Sequence, residues 1–272
     1  MNISIEDPVF LLGMPRSGTT WLSQIVESAP DFEVRLSPNY SYALKNRLNL
    51  GSSREEWLQT LRVAADSDDP FMTQNWRRDT GELPRFDHVR SGQRRLAIKD
   101  TRFHDLYMRG LELLPKAQCI ALVRHPCGAL ASWRDSKEFP KGVPFEAEWR
   151  LGEIRKSEGP GEYWGFDDWM RLARLFLAHQ EREPARVLVM RYEDLTRSPV
   201  SAAETLFSFL GSKLAPTTCG FIESSQSHHD DRTYSVFKSP ETADVWRITF
   251  PVPILKEIEA ELHGTELERF LA

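Results

Sequence analysis

Short apolar runs set off by charged and turn residues recur along the chain, at Val9 to Leu12, Leu96 to Ile98, Cys119 to Val123 and Val187 to Met190. Each run is continuous rather than alternating, the pattern of a strand buried on both faces. Helical spacing follows each one. Trp21, Leu22, Ile25 and Val26 follow the first run, and Phe103, Leu106, Tyr107, Leu111 and Leu114 follow the second, ahead of Pro115. The third leads through Pro126, a residue suited to a first helical turn, into Ala129, Leu130 and Trp133. The fourth leads through Pro199 to Ala203, Leu206, Phe207 and Leu210, with Gly211 placed to cap the end. This alternation predicts an α/β fold of three layers, a mainly parallel sheet flanked by helices, with ligands gathered at the carboxyl ends of the strands.

Residues 33–94, 136–165 and 212–250 fit the alternation poorly, being rich in Pro, Gly, Ser, Trp and charge and too long for simple connections. Trp57, Leu58 and Leu61 predict a helix over 54–65 within the first. The first two read as walls of an acceptor site and the third as a lid, with surface decoration as the plainer alternative. A length of 272 residues, 40% hydrophobic, accommodates one large domain over 1–272 with a substantial core.

The net charge of −5 argues against nucleic acid as the main partner, yet 35 Lys and Arg residues are enough to build a local anion pocket. Cys119, Cys127 and Cys219 show no metal-ligand spacing, and an odd number argues against a disulfide framework. The first residues lack a basic start and an apolar run, and no window reaches membrane-spanning length. A cytoplasmic protein with no membrane partner is the expectation; the pattern leaves the oligomeric state open.

The chemistry starts at Gly13-Met-Pro-Arg16-Ser-Gly18-Thr-Thr20-Trp21. Gly13 and Gly18 have P-loop spacing, but Thr19 stands where a nucleoside triphosphatase needs its lysine. The loop keeps glycines and hydroxyls able to wrap an anion at a helix N-terminus and carries its fixed charge on Arg16. A Thr-capped helix after a tight turn would use the same residues. A second element, Arg124-His-Pro-Cys-Gly-Ala-Leu-Ala-Ser132, places an arginine at a strand end and a serine eight residues later. Taken alone, Arg124 could be a salt-bridge residue and Ser132 a surface position. A third, Arg191-Tyr192-Glu-Asp-Leu195, follows the fourth strand.

In this order the elements resemble the sulfotransferases that use 3'-phosphoadenosine 5'-phosphosulfate (PAPS), over residues 8 to about 250. The resemblance implies a P-loop NTPase-like sulfotransferase fold and transfer of a sulfuryl group to a hydroxyl, or less readily an amine, of a small or medium-sized acceptor. PAPS would be the co-substrate, with no metal required. By this likeness Arg16, Ser17, Gly18, Thr19 and Thr20 hold the phosphosulfate, and Arg124 and Ser132 hold the 3'-phosphate. Trp21 stacks on adenine, unless it is a core residue, and Tyr192 lies near the adenine end. Lys238 and Arg247, with Arg232, are the basic candidates of the lid, although the family's Arg-Lys-Gly signature is absent.

For catalysis, Arg16 is the first candidate to stabilise charge on the bridging oxygen and Lys99 the second. Relatives follow that lysine with Thr-His or Thr-Pro, whereas this chain reads Lys99-Asp-Thr-Arg-Phe-His104. Many relatives also carry a glutamate before a proline after the first helix, a place held here by Ser37-Pro38. Candidate general bases are therefore His104, then Asp100, then Glu33, with a surface or capping role as the alternative for His104. Trp76, Trp149, Trp164 and Phe145, with Arg77, Arg78 and Arg150, are candidate acceptor walls. A metabolite kinase and a non-catalytic nucleotide-sensing module are the competing readings.

Overall fold

Residues 9–12 of the first strand alternate between two cores. Val9 and Leu11 face one, and Phe10 and Leu12 the other, which is why the run is apolar throughout. In the computed structural model, which describes residues 3–87, 92–156 and 161–272, this strand, β1, spans Ile3–Leu12. It lies at the centre of a five-stranded sheet with β2 Phe32–Leu36, β3 Arg94–Asp100, β4 Gln118–Val123 and β5 Val187–Arg191. The order is β2-β3-β1-β4-β5 and every pairing is parallel.

The helices sort onto the two faces by their apolar stripes. Helix Thr19–Glu27 buries Leu22, Ile25 and Val26 with Pro199–Phe209 and Pro216–Ser227 on the Val9 side. Helix Arg54–Asp66 starts where the Ser53 hydroxyl and Glu56 carboxylate form a reciprocal cap, 3.2 and 2.7 Å from the facing amides. Its Trp57 packs with Phe10 and Tyr107 on the opposite side, ring centres 5.1 to 5.9 Å apart. Helices His104–Leu113, Pro126–Arg134, Gly165–Arg182 and Val252–Leu262 complete that face. Pro126 stands in the first turn of its helix, and Gly211, with φ +72°, follows the end of Pro199–Phe209.

One strand was hidden by its charge. β2 lies inside the region expected to be insertion, 33–94, because Glu33 and Arg35 interrupt its apolar positions. Both are buried. Arg35 pairs with Glu33 at 2.6 Å and donates to the carbonyls of Ala64 and Ala65 at 3.0 Å, and Arg94 of β3 closes on the same carboxylate. Buried charge is tolerated in a strand when paired and hydrogen-bonded. β1 also begins six residues before its continuous run, across a register irregularity between Ser4 and Val9. Residues 88–91 and 157–160, within the first and second expected insertions, lie outside the described residues.

The register puts the chemistry at one edge. Leu12 pairs with Asp100 on one side and Ala121 on the other, so the segments after β1, β3 and β4 leave the sheet side by side. The chain crosses from one flank of β1 to the other between β3 and β4, so this edge is the switch point of the sheet.

Candidate functional site

The loop after β1 turns through two left-handed residues, Arg16 at φ +70° and Gly18 at φ +86°. Gly18 has a second constraint, since a Cβ there would sit 2.5 Å from the ring carbons of Tyr192. No side chain caps helix Thr19–Glu27, and its first backbone bond runs from Leu22 N–H to Gly18. The amides of Gly18, Thr19 and Thr20 thus stand at an uncapped N-terminus, where unpaired donors and the helix dipole favour an anion. Ser17 departs from the expectation. Its amide closes the turn to Met14 at 3.2 Å, and its hydroxyl is buried behind the loop rather than on the cavity wall.

The pair eight residues apart at the end of β4 meets this loop. Arg16 Nε donates to Ser132 Oγ at 3.1 Å, and Arg124 Nη1 donates to the Arg16 carbonyl at 3.1 Å. The Arg124 guanidinium lies 4.6 Å from the centre of the Tyr192 ring, and its backbone carbonyl accepts from the Trp169 indole at 2.9 Å. Trp21 donates to Ser225 Oγ at 2.9 Å while remaining partly exposed. Arg16, Gly18, Thr19, Thr20, Trp21, Arg124, Ser132 and Tyr192 all line one cavity of about 770 Å³. Burial draws the Arg16 guanidinium down from its ordinary range, an effect opposed by the nearby Glu138 carboxylate.

At the end of β3 the alternation of the strand splits the expected catalytic group. Lys99 reaches the cavity, and among the described residues its ammonium makes no ion pair within 4 Å. Burial lowers it to about 8, helped by the charges of Arg77, Arg102 and Arg16 and opposed by Asp100. Asp100 points to the other side and is fully buried. It accepts from Ser37 Oγ at 2.8 Å, from Tyr107 OH at 2.8 Å, and from the amides of Thr101 and Arg102 at 2.8 and 2.9 Å. His104, ranked first as base, is also fully buried and stands away from the cavity, its ring centre 4.7 Å from Tyr163 and 5.6 Å from Phe176. Burial holds its imidazole down at about 3. Glu33, ranked third, is held in the β2 ion pairs.

The sulfotransferase family profile matches residues 8–216, a span that contains both candidate anion loops and the carboxyl ends of all five strands and leaves out most of the expected lid. The chain belongs to the sulfotransferase family. Among curated proteins, human carbohydrate sulfotransferase 3 is 33% identical over 182 residues, covering 61% of this chain and 36% of that protein. The mouse protein of the same name is 29% identical over 192 residues, covering 65% and 37%. The chain therefore spans about a third of the length of these curated relatives. Among solved structures, mouse sulfotransferase SULT7A1 complexed with PAP covers 98% of this chain and 89% of that one at 19% identity, with a TM-score of 0.56. The sulfotransferase domain from the curacin biosynthetic pathway covers 93% and 96% at 18% identity, TM-score 0.51. These two likenesses speak to the fold.

The three irregular regions also contribute to the cavity wall. From the first come Tyr40, Phe71, Gln74, Trp76 and Arg77, from the second Glu138, Arg155 and Trp164, and from the third His229, Tyr234 and Lys238. Lys238 is tied back by its ammonium to the carbonyls of Asp230 and Arg232, the latter at 3.0 Å. Arg247 is not on the wall. Asp244, one turn earlier, accepts from its guanidinium at 2.9 Å, and Trp246 lines the cavity instead, its ring centre 4.1 Å from that of His125 and tilted by 32°. Arg232 is likewise turned to Asp230 and to the Thr80 carbonyl. Trp149, Phe145, Arg78 and Arg150 stand off the cavity, with Arg78 bound to Glu27 and Arg150 to Asp167, Glu257 and Glu261. Missed from the sequence were Arg102 and Arg155, Tyr40 and Gln74, and the carboxylates Asp135 and Glu138. Only the position of Asp135 and Glu138 just past Ser132 could have signalled them.

Proposed function

We propose that the protein transfers a sulfuryl group from PAPS to a hydroxyl of a small or medium-sized acceptor, leaving 3'-phosphoadenosine 5'-phosphate. The observation that supports this best is the meeting of two anion sites in one cavity, the amides and Arg16 of the first loop against Arg124 and Ser132 of the second. A ligand with phosphate at both ends of an adenosine would find an anion site for each. Seven Arg and Lys residues face two carboxylates around a cavity whose parent chain is net acidic, so the positive field is local and suits a polyanion.

Residue roles follow from position. Gly18, Thr19 and Thr20 would hold the phosphosulfate by backbone and hydroxyl donors, and Arg124 with Ser132 the 3'-phosphate. Trp21 and Tyr192 would border the adenosine, and Lys238 would approach from the lid. PAPS supplies an activated sulfuryl group, and charge develops on the bridging oxygen as it leaves. Arg16 and Lys99 are the fixed cations placed to stabilise that charge without reorganisation. Arg16 Nε donates to Ser132 Oγ, whose own hydrogen is left to donate to a phosphate oxygen.

About 770 Å³ lies in the upper part of the usual ~300–1,000 Å³ range of small-molecule sites, leaving room for an acceptor beside the nucleotide. The acceptor side presents the half-exposed rings of Trp76 and Tyr234 around the Arg77 guanidinium, 5.7 and 4.8 Å from the ring centres. Open aromatic faces beside polar donors suit the C–H faces of a sugar, and the carbohydrate sulfotransferase relatives make saccharide hydroxyls the first acceptors to try.

The test is calorimetric titration with adenosine 3',5'-bisphosphate. Binding is expected, with Arg124→Ala weakening it about 10- to 100-fold, the worth of a charge-assisted hydrogen bond or two. Tight ATP binding with indifference to the bisphosphate would overturn the proposal. Sulfuryl transfer is expected to survive EDTA; loss of activity restored by magnesium would point to phosphoryl transfer instead.

A further inference from the structure

We propose that Ser37 and Asp100 act as one proton acceptor for the incoming nucleophile, Ser37 offering its oxygen at the cavity wall and Asp100 holding the negative charge behind it. The inference rests on the transfer reading above. Ser37 lines the cavity and directly follows β2, whose Leu36 pairs with Lys99, and its own amide donates to the Lys99 carbonyl at 2.9 Å. The two residues are thereby locked beside each other at the strand ends.

Three observations make the couple more than a structural bond. First, Ser37 is held left-handed at φ +36°, a conformation unfavourable for a residue with a Cβ. Arg16 and Gln74, also left-handed without being glycine, line the same cavity. Second, the Ser37 hydroxyl donates its hydrogen to Asp100 Oδ1 at 2.8 Å. A hydroxyl whose hydrogen is committed to a carboxylate offers only lone pairs on its other side, so its free partner must be a donor such as an acceptor O–H. Third, Asp100 is a fully buried carboxylate adjacent to Lys99 in the strand, and burial pushes it above the ordinary carboxylate range despite the bonds from Ser37, Tyr107 and the Arg102 amide and the charge of Lys99. Those are the groups that face it: Lys99 on its own strand, Ser37 from the end of β2, Tyr107 from helix His104–Leu113, and the amides of Thr101 and Arg102.

In the transfer, the acceptor oxygen bonds to sulfur as its O–H bond breaks. The acceptor proton passes to Ser37 Oγ while the Ser37 proton passes to Asp100 Oδ1. The electron pair of the broken sulfur–oxygen bond leaves on the bisphosphate. Other cavity groups are less free for this work. His229 is engaged at both ring nitrogens, by Asp231 at 2.9 Å and the Ser239 amide at 3.4 Å. Glu138 faces Arg16 and stands 4.0 Å from Arg155, and it is the rival in the test.

The experiment follows bisphosphate release from PAPS with water and with 2-naphthol as acceptors across pH, beside bisphosphate binding by calorimetry and titration of the Asp100 carboxyl by carbon-13 NMR in unliganded protein. Ser37→Ala is expected to keep bisphosphate affinity within about threefold, to lower release by roughly 100-fold or more, the low end of a general base's contribution, and to remove the acid limb of the profile. Tyr107→Phe, which removes a donor to the carboxylate, is expected to move both that limb and the Asp100 titration to higher pH. Release within about threefold of wild type in Ser37→Ala, or an acid limb that responds to Glu138→Gln alone, would overturn the couple. Wild-type protein that neither binds the bisphosphate nor releases it from PAPS would overturn the transfer reading, and this inference with it.

Discussion

At the residue scale, Lys99 carries its charge within reach of ordinary pH. Burial brings it from 10.5 to about 8, so in the free protein the ammonium is present below that pH and lost as pH rises through it. If its charge stabilises the leaving group, kcat/KM falls above about pH 8, and Lys99→Arg, which cannot deprotonate there, moves that descending limb to higher pH. A limb unchanged by Lys99→Arg would remove Lys99 from that role. The stability consequence has the opposite sense. Between about pH 8 and 10.5 the unfolded chain binds the proton that the folded one has shed, so the penalty for burying Lys99 is relieved as pH rises across that window. Gly18 is the other decisive single residue. Gly18→Ala must accept both a left-handed backbone and the Tyr192 ring, and a loss of about 1–3 kcal/mol in urea unfolding is expected, together with weakened bisphosphate binding as the loop shifts.

At the scale of elements, β2 shows how a strand can be concealed by its own charges. Glu33 and Arg35 break up its apolar run, and only the arrival of Arg94 from β3 and the carbonyls of Ala64 and Ala65 makes their burial tolerable. Glu33→Gln leaves two arginines without their carboxylate and is expected to cost about 3–5 kcal/mol in denaturant unfolding, while kcat with a working acceptor stays near wild type because the pair lies off the cavity. A fall in kcat without loss of stability would return Glu33 to the list of bases. The four continuous apolar runs, by contrast, were legible because strands buried on both faces need no partner chemistry to be recognised. Helix 54–65 was legible from the helical spacing of Trp57, Leu58 and Leu61, a local signal; its Ser53–Glu56 cap came to light only in the structure.

At the scale of the whole molecule, the acidic chain brings seven of its 35 basic side chains to one cavity from the ends of β1, β3 and β4 and from all three irregular regions. Since no single segment forms the site, a ligand that fills it should hold the domain together. At 100 times its Kd the bisphosphate is expected to add about 2.7 kcal/mol and raise Tm by several degrees, and added salt should weaken its binding by screening the cavity's cations. A Tm that ignores the bisphosphate would mean that the folded protein does not bind it in preference to the unfolded chain. Among the described residues no helix is long and apolar enough to cross a membrane.

What the sequence determined by itself was local: the strand-loop-helix at Gly13 to Trp21, the Arg124 and Ser132 spacing, and the parallel α/β alternation, all of which are set by backbone geometry over a few turns. The tertiary structure decided direction. Successive residues of a strand face opposite sides, so Lys99 reached the cavity while Asp100 turned into the fold. His104, at the start of the next helix, was taken up by the aromatic core, and Arg247 was paired with Asp244 off the cavity wall. Which side a polar residue faces depends on partners far away in the chain, and for Asp100 that partner was Ser37, brought to it by a strand that the sequence pattern did not reveal.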